Sequence, residues 1–551
     1  MRYEASKLVQ SGEGFLPRYS SPMTRSLLIV TRYLDRKSHI ATWGALIVLA
    51  LVAFLLRAPH LDTQSLWRDE VDVIRFANWP LSQLAQSLMT SGHNGPLYYL
   101  VMRGWLRLGG NSEFALRYLS LCFGVLTVPL GYRAGRWLVG RHGAMMAATL
   151  IAVSPYLVWY SQDAKMYTLV TALTLLAVTC QLEALASGRL RWWVGFVFSA
   201  SISLYIHLLS ALMILVYVVV FLLARPRSRK QWWGGAVSLG LLTLPYVPLA
   251  IWQLPLVLGS YETGHPFYPI KDMLSLLLNL YSQGVAMVGG WLVVTAFVFA
   301  MLSGLFSSTG GNLWKRFAGN RFPLSRETRS RLLLLLWLFL PIALVYLVSL
   351  RAPVFEPRYL IFIAPAFYLL AASGIVTLSR LSPIVAGLTL AVILSFSLLG
   401  VWTQAATPIK SDFRAAAGYV TTHRQGDAPI MFQMPYVRYA FDYYFGDEYV
   451  ALEGPWTNDD RPEVEISQAM AQSLAGYDGV WLVVSESWLW DARDLARTWL
   501  DQHARLVESA SFTLVDVYHY DLSTIQSANI WNVRPLDLPT TQRKGCECQQ
   551  E

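Results

Sequence analysis

Trp67-Arg68-Asp69-Glu70 sets two carboxylates side by side next to an arginine. Such a pair can do general-base work when one acid stays ionised near a cation and the other orients it. A solvated loop turn is the alternative. In His93-Asn94-Gly95-Pro96-Leu97-Tyr98-Tyr99 the Gly-Pro pair makes a turn that delivers two tyrosines into a helix. His93 there is a satisfied loop residue, a base or a ligand. Tyr160-Ser161-Gln162-Asp163-Ala164-Lys165-Met166-Tyr167 offers an acid and a base in a short loop. They form either an interfacial ion pair worth less than about 1 kcal/mol if exposed, or the wall of a cleft facing Asp69. Glu356-Pro357-Arg358-Tyr359 supplies a guanidinium. Arg358 either snorkels from the end of an apolar segment or grips phosphate oxygens through its planar fork of donors.

The elements that hold these residues are membrane spans. Of the residues 54% are hydrophobic, the mean hydropathy is +0.40, and many runs approach the length that crosses a bilayer. About eleven spans are expected, near 40–57, 114–132, 143–160, 166–186, 192–206, 207–224, 232–252, 284–306, 331–350, 359–379 and 383–402. The 192–224 stretch is nearly continuous and turns only at Tyr205-Ile206-His207. Arginines and lysines gather in the N-terminal arm and in alternate loops: Arg133, Arg136 and Arg141; Arg189 and Arg191; Arg225 to Lys230; Lys315 to Arg331. The positive-inside rule puts these in the cytoplasm and the 58–113 loop and the C-terminal segment outside. From 403 onward acids outnumber bases about twofold, so the net charge of +9 reads as topology and not as a nucleic-acid surface. The long polar N-terminal arm is unlike a cleavable signal peptide, which makes the first span a signal anchor. Cys122 and Cys180 lie in spans and Cys546 and Cys548 near the C-terminus. They read as inert thiols without a disulfide framework.

The expected organisation is a cytoplasmic arm (1–39), a membrane core (40–402) with its first outer loop at 58–113, an outer domain (403–522) and a disordered polar tail (523–551). In the loop, 81–89 and 98–108 have apolar residues at helical spacing. In the outer domain, helices at 413–423 and 491–503 alternate with strands at 428–434, 479–485 and 512–520, which implies a small α/β layer.

In order along the chain, Leu66 to Glu70, His93 to Tyr99, Ser112 to Arg117, Ser154 to Tyr167 and Pro357-Arg358-Tyr359 resemble the bacterial protein mannosyltransferase and aminoarabinose transferase group. These are C-type membrane glycosyltransferases that use polyprenyl-phosphate sugars. The resemblance covers about 40–400 and is strongest from 66 to 170. It implies the α-helical polytopic C-type fold with an active site facing the periplasm or exterior of a plasma (inner) membrane. It also implies a polyprenyl-phosphate-linked sugar as donor and a protein, lipid or glycan as acceptor. Asp69 would be the base and Glu70 its orienter, with Asp163 in the same cleft. Lys165, Arg358 and Tyr359 would take the donor phosphate, and His93, Asn94 and Tyr167 would line the cleft. Where many relatives have His-Pro-Pro this chain has His93-Asn94-Gly95-Pro96, which weakens a ligand role for His93. Some C-type enzymes use a divalent cation and others none, so a metal stays open. A transporter or flippase of lipid-linked sugars competes, but the spans lack evident symmetry and the charges sit at span ends. A non-catalytic binding module fits less well with Asp69, Glu70, Asp163 and Arg358 all present.

Overall fold

The computed structural model describes residues 22–89, 95–224, 226, 228–258, 265–306 and 325–523. His93, Asn94 and the tail beyond 523 lie outside the described residues. The chain divides into two units, Met1–Leu49 and Ala50–Glu551; helix α1 (Pro22–Arg57) begins in the first and ends in the second.

The outer loop carries α2 (Arg68–Ala77), α3 (Leu81–Met89) and α4 (Pro96–Gly109). Left-handed Gly95 followed by Pro96 at the first helical position starts α4, where a proline loses nothing by lacking an N–H. Then come α5 (Glu113–Leu138), α6 (Gly140–Val153), α7 (Pro155–Ser161), α8 (Tyr167–Ser187) and α9 (Leu190–Ile206). They are followed by α10 (Leu212–Ala224), α11 (Arg229–Leu258), α12 (Ile270–Gln283), α13 (Gly290–Phe306), α14 (Arg326–Ser349), α15 (Ala364–Leu381) and α16 (Pro383–Ala406). Each expected span is largely helical, but 143–160 is divided between α6 and α7, 284–289 is a turn ahead of α13, and 207–224 and 359–379 open in 3-10 turns; α9 ends at His207. Among the described residues six helices are long and apolar enough to cross a membrane, or seven if the bent pair α6–α7 is one span. The protein is multi-pass; the shorter apolar helices Leu190–Ile206, Leu208–Ala224 and Gly290–Leu305 bring the described candidates to at most ten, so the expected count of eleven is not reached.

The bend between α6 and α7 is 55° and has a chemical cause. Pro155 cannot donate to the Ile151 carbonyl, and Ser154 instead caps the new helix by accepting from Leu157 N at 3.2 Å. The freed carbonyls are taken by Arg57, which is wholly buried. It donates to Ala152 O at 2.8 Å, Ile151 O at 3.3 Å and Ser161 Oγ at 3.1 Å. An unpaired backbone carbonyl at this depth would be costly. The kink aims the 162–166 turn at the outer loop.

After α16 comes α17 (Phe413–His423), then β1 (Ile430–Phe432), α18 (Arg438–Phe445), β2 (Ala451–Glu453), α19 (Glu463–Leu474), β3 (Gly479–Val484), α20 (Leu495–His503), β4 (Arg505–Phe512) and β5 (Val515–Asp521). The sheet order is β2-β1-β3-β5-β4, with β1 parallel to β2 and β3 and β5 antiparallel to β3 and β4. Met431, Met470, Leu482, Trp499, Leu500 and Tyr520 form its core. The single closing strand expected at 512–520 is a hairpin turning at left-handed Leu514.

Candidate active site

The site is built on α2. Trp67 precedes it in extended conformation, and Asp69 and Glu70 occupy its first turn, where carboxylates complement the helix dipole. Glu70 has no exposed surface, and its two oxygens accept four hydrogen bonds. Arg117 of α5 grips both, Nε to Oε1 at 2.7 Å and Nη2 to Oε2 at 2.6 Å. Ala164 N reaches Oε1 at 2.9 Å and Lys410 Nζ reaches Oε2 at 2.9 Å. With the carboxylate's acceptor sites filled, Glu70 is an anchor for α2. Burial raises its pKa, but Arg117, Lys410 and these bonds win and hold it far below the usual carboxylate range. Arg117 also donates to the carbonyls of Leu61, Gln64 and Ser65 at 2.6, 2.7 and 3.0 Å, fixing the loop ahead of α2.

Asp69, by contrast, keeps 19% of its side chain exposed and is met by Arg358 Nη1 at 3.3 Å and Arg68 Nη2 at 3.8 Å. Burial pushes its pKa up, but Lys165, Arg358 and Arg68 outweigh that and hold it below the ordinary value. One turn on, Asp72 is pushed the other way, by burial and by Asp69, with Lys165 opposing. Of two acids on one helix face, Asp69 is the one whose pKa the surrounding cations lower, which favours the ionised form that a general base requires. Arg358 lies over the Trp67 ring, 5.0 Å from its centre, and also faces Glu356 at 3.6 Å. Lys165 is nearly buried; its electrostatic effect reaches both Asp69 and Asp72.

Asp163 lies beneath this surface, its side chain 2% exposed. It accepts from Trp67 Nε1 at 3.2 Å and from Lys410 Nζ at 3.3 Å. Expected in the cleft wall, Asp163 instead ties the 162–166 turn to Trp67. Burial raises its pKa, opposed first by Lys410. Tyr167 is also buried, edge-on to Tyr160 at 5.2 Å, so it supports the floor rather than lining the cleft. Tyr359 is partly exposed and its ring meets His207 at 5.6 Å and His265 at 5.9 Å. The structure thus brings together Asp69, Glu70, Asp163, Lys165, Arg358, Tyr359 and Tyr167. It adds Arg117, Lys410 and Glu486, to which the sequence motifs assign no site role.

Glu486 comes from the sheet domain on a left-handed residue (φ 52°) and pairs with Arg68 Nε at 3.1 Å. Burial raises its pKa against the pull of Arg68. A non-glycine residue in this conformation is strained and puts the domain's carboxylate at the rim of the site. The same domain is seated by Tyr444, which accepts from Leu66 N at 2.7 Å and donates to Glu113. Arg414 also pairs with Glu113.

Among the described residues no group of three or more His, Cys, Asp or Glu side chains is placed to hold a metal ion. Asp69 and Asp163 are each engaged by a basic residue.

The crystal structure of ArnT from Cupriavidus metallidurans bound to undecaprenyl phosphate superposes with a TM-score of 0.53 at 13% identity, covering 86% of this chain and 98% of that one. An Archaeoglobus fulgidus oligosaccharyltransferase in complex with zinc and sulfate gives 0.54 at 12% identity over 86% and 72% of the two chains. The chain has the C-type glycosyltransferase fold. Within this C-type chain, residues 93–252 match the dolichyl-phosphate-mannose-protein mannosyltransferase family. A putative mannosyltransferase of Bacillus subtilis (strain 168), YycA, is 26% identical over 244 residues, 41% of this chain and 35% of the relative. The match therefore spans about a third of that relative's length. The A. fulgidus oligosaccharyltransferase has also been solved with an inhibitory peptide and dolichol phosphate, and that structure superposes at 0.53 over 91% of this chain and 75% of its own.

Proposed function

We propose that this protein transfers a sugar from a polyprenyl-phosphate donor to an acceptor outside the cytoplasm, with inversion at the anomeric carbon. The observation that carries this reading is Asp69, ionised and partly open, beside Arg358 and within the field of Lys165. Support comes from two proteins of the same fold, one solved with undecaprenyl phosphate and one with dolichol phosphate. In a direct displacement the acceptor oxygen attacks the anomeric carbon while the bond from that carbon to the phosphate oxygen breaks. Asp69 takes the acceptor's proton, and the polyprenyl phosphate leaves with the bonding pair. Arg358 and Lys165 meet the charge that grows on the phosphate, which lowers the barrier because they are already in place. Tyr359 flanks the same entry.

Donor and base share their cations. A phosphate drawn to Arg358 and Lys165 weakens the hold of those groups on Asp69, so its proton affinity rises as donor binds. The base is held quiet until donor arrives and becomes more basic once a leaving group is present. The active site, the outer loop and the sheet domain face the periplasm or exterior of a plasma membrane in this reading, which the distribution of loop charges supports. Acceptors of protein, lipid or glycan type remain equivalent to this chemistry. Transport of lipid-linked sugars is the reading it displaces.

The test compares wild type with Asp69→Asn in native membranes, measuring release of free polyprenyl phosphate from a panel of labelled polyprenyl-phosphate sugars. Turnover of one donor that disappears in a folded, donor-binding Asp69→Asn variant supports the assignment. Undiminished release by that variant refutes it.

A further inference from the structure

We infer that Lys410, in the linker between α16 and the sheet domain, is a positioning residue for transfer: it holds Glu70 and Asp163 together and thereby fixes Trp67, Asp69 and Arg358. The inference rests on Asp69 being the base. Lys410 touches none of the exposed surface of the site. Its ammonium is 2.9 Å from Glu70 Oε2, 3.3 Å from Asp163 Oδ1 and 3.4 Å from the Gln162 carbonyl. It also faces the Trp159 ring at 5.6 Å, and its side chain is 7% exposed.

Charge balance gives the reason this lysine matters. The buried cluster contains two acids, Glu70 and Asp163, and two bases, Arg117 and Lys410. Arg117 is spent on Glu70 and three carbonyls, so Asp163 has Lys410 as its nearest counter-charge. Without it the buried carboxylate must take up a proton or draw in water. Either outcome alters its bond with Trp67 Nε1. Trp67 is the residue from which α2 starts, and its ring carries the Arg358 guanidinium. A shift of Trp67 therefore moves the base and the phosphate-binding arginine together.

The linker that presents Lys410 is itself held in register. Gln64 accepts from the N–H groups of Ile409 and Lys410, both at 3.0 Å, and donates to Gln404 O and Thr407 O at 3.2 and 3.3 Å. Two residues on, Asp412 N donates to Thr513 O in the β4–β5 turn at 2.9 Å. Seating of the sheet domain is thus read at the buried acids through a short, hydrogen-bonded strap. The domain contributes to turnover through this strap and not only as a cover over the cleft.

The experiment uses full-length protein in nanodiscs with the donor that wild type turns over, and undecaprenyl phosphate as the binding probe. Lys410→Met is expected to lower kcat roughly a hundredfold, as a misplacement of about 1 Å does, while donor KM and undecaprenyl phosphate affinity stay within about threefold. Lys410→Arg, which keeps the charge and can reach both acids, restores most of kcat. If Lys410→Met does not fold, Lys410→Met with Asp163→Asn removes one charge of each sign; it is expected to fold and keep the kcat loss. A folded variant of either kind with wild-type kcat, or a loss confined to KM, overturns the inference. Asp69→Asn run alongside separates the two failures: an active Asp69→Asn sinks the assignment of the base. An inactive Asp69→Asn beside a normal Lys410→Met sinks only the role of Lys410.

Discussion

Glu70→Gln and Arg117→Met, made singly and together, decide whether the second acid of the pair is a brace or a reagent. Glu70 has no solvent exposure and Arg117 only 1% at its side chain. Removing one partner of a buried pair leaves the other uncompensated, a loss of about 3–5 kcal/mol. Arg117→Met also frees the carbonyls of Leu61, Gln64 and Ser65, each costing about 1–3 kcal/mol if it stays dry. These terms overlap, so about 5 kcal/mol is expected for Arg117→Met. Glu70→Gln is expected to cost about 3 kcal/mol, because it strands Arg117 and Lys410 on a neutral amide that can still accept. In the double variant Lys410 keeps Asp163 as its partner, and the cost falls short of the sum by about 2 kcal/mol. Denaturant titration of detergent-solubilised protein, followed by tryptophan fluorescence, measures the cycle. Additive costs, or an Arg117→Met loss below about 1 kcal/mol, would refute the brace. A Glu70→Gln protein of wild-type stability with abolished kcat would make Glu70 a reagent after all.

Arg358→Met removes a cation that lowers the pKa of Asp69, so the acid limb of kcat/KM, which reports the free enzyme, should move to higher pH than in wild type. In wild type that limb is expected below the ordinary aspartate value of about 3.9, because the neighbouring cations lower the Asp69 pKa and the ionised base persists until pH falls through it. An unmoved limb in Arg358→Met would exclude Asp69 as the titrating group. Arg57→Met should destabilise by about 3 kcal/mol in the same denaturant assay, since the Ile151 and Ala152 carbonyls lose their donors; a cost under about 0.5 kcal/mol would show that the kink needs no cap. Gly95→Ala combines φ of +71° with a methyl 2.7 Å from the Ile206 carbonyl oxygen. It should lower thermal stability and reduce turnover by disturbing the entry to α4.

What the sequence makes legible is what depends on near neighbours. Apolar runs of span length announce the helices, Gly95-Pro96 announces the start of α4, and Asp69, Lys165 and Arg358 stand out as charges at span ends. Helix α2 is hidden because Arg68-Asp69-Glu70-Val71-Asp72 is too charged to look like packed structure, although its Val71, Val73 and Ala77 are buried. The β4–β5 hairpin is hidden because β4 is largely exposed and its half-buried face, Glu508, Ala510 and Phe512, is interrupted by a charge. Arg57, Arg117 and Lys410 receive no site role from the sequence for another reason: their partners lie 94, 47 and 340 residues away. The signal that does mark them is one of charge accounting. A basic residue inside or next to an apolar run must find an acceptor, and a buried acid must find a base; Arg57, Arg117 and Lys410 all stand where that demand arises.

The division of labour between the adjacent acids follows from that accounting. Helix geometry turns successive side chains about 100° apart, so neighbours in sequence cannot share one environment. Glu70 is turned toward α5 and the 162–166 turn, where Arg117 and Lys410 neutralise it completely. Asp69 remains on the side where Arg358 and Arg68 meet it at 3.3 and 3.8 Å, distances long enough for a ligand to compete. A carboxylate held by four short bonds cannot accept a proton from a substrate without breaking them, whereas one held by loose ion pairs can. The asymmetry in bonding, more than the presence of two acids, is what makes Asp69 the group suited to act as the base.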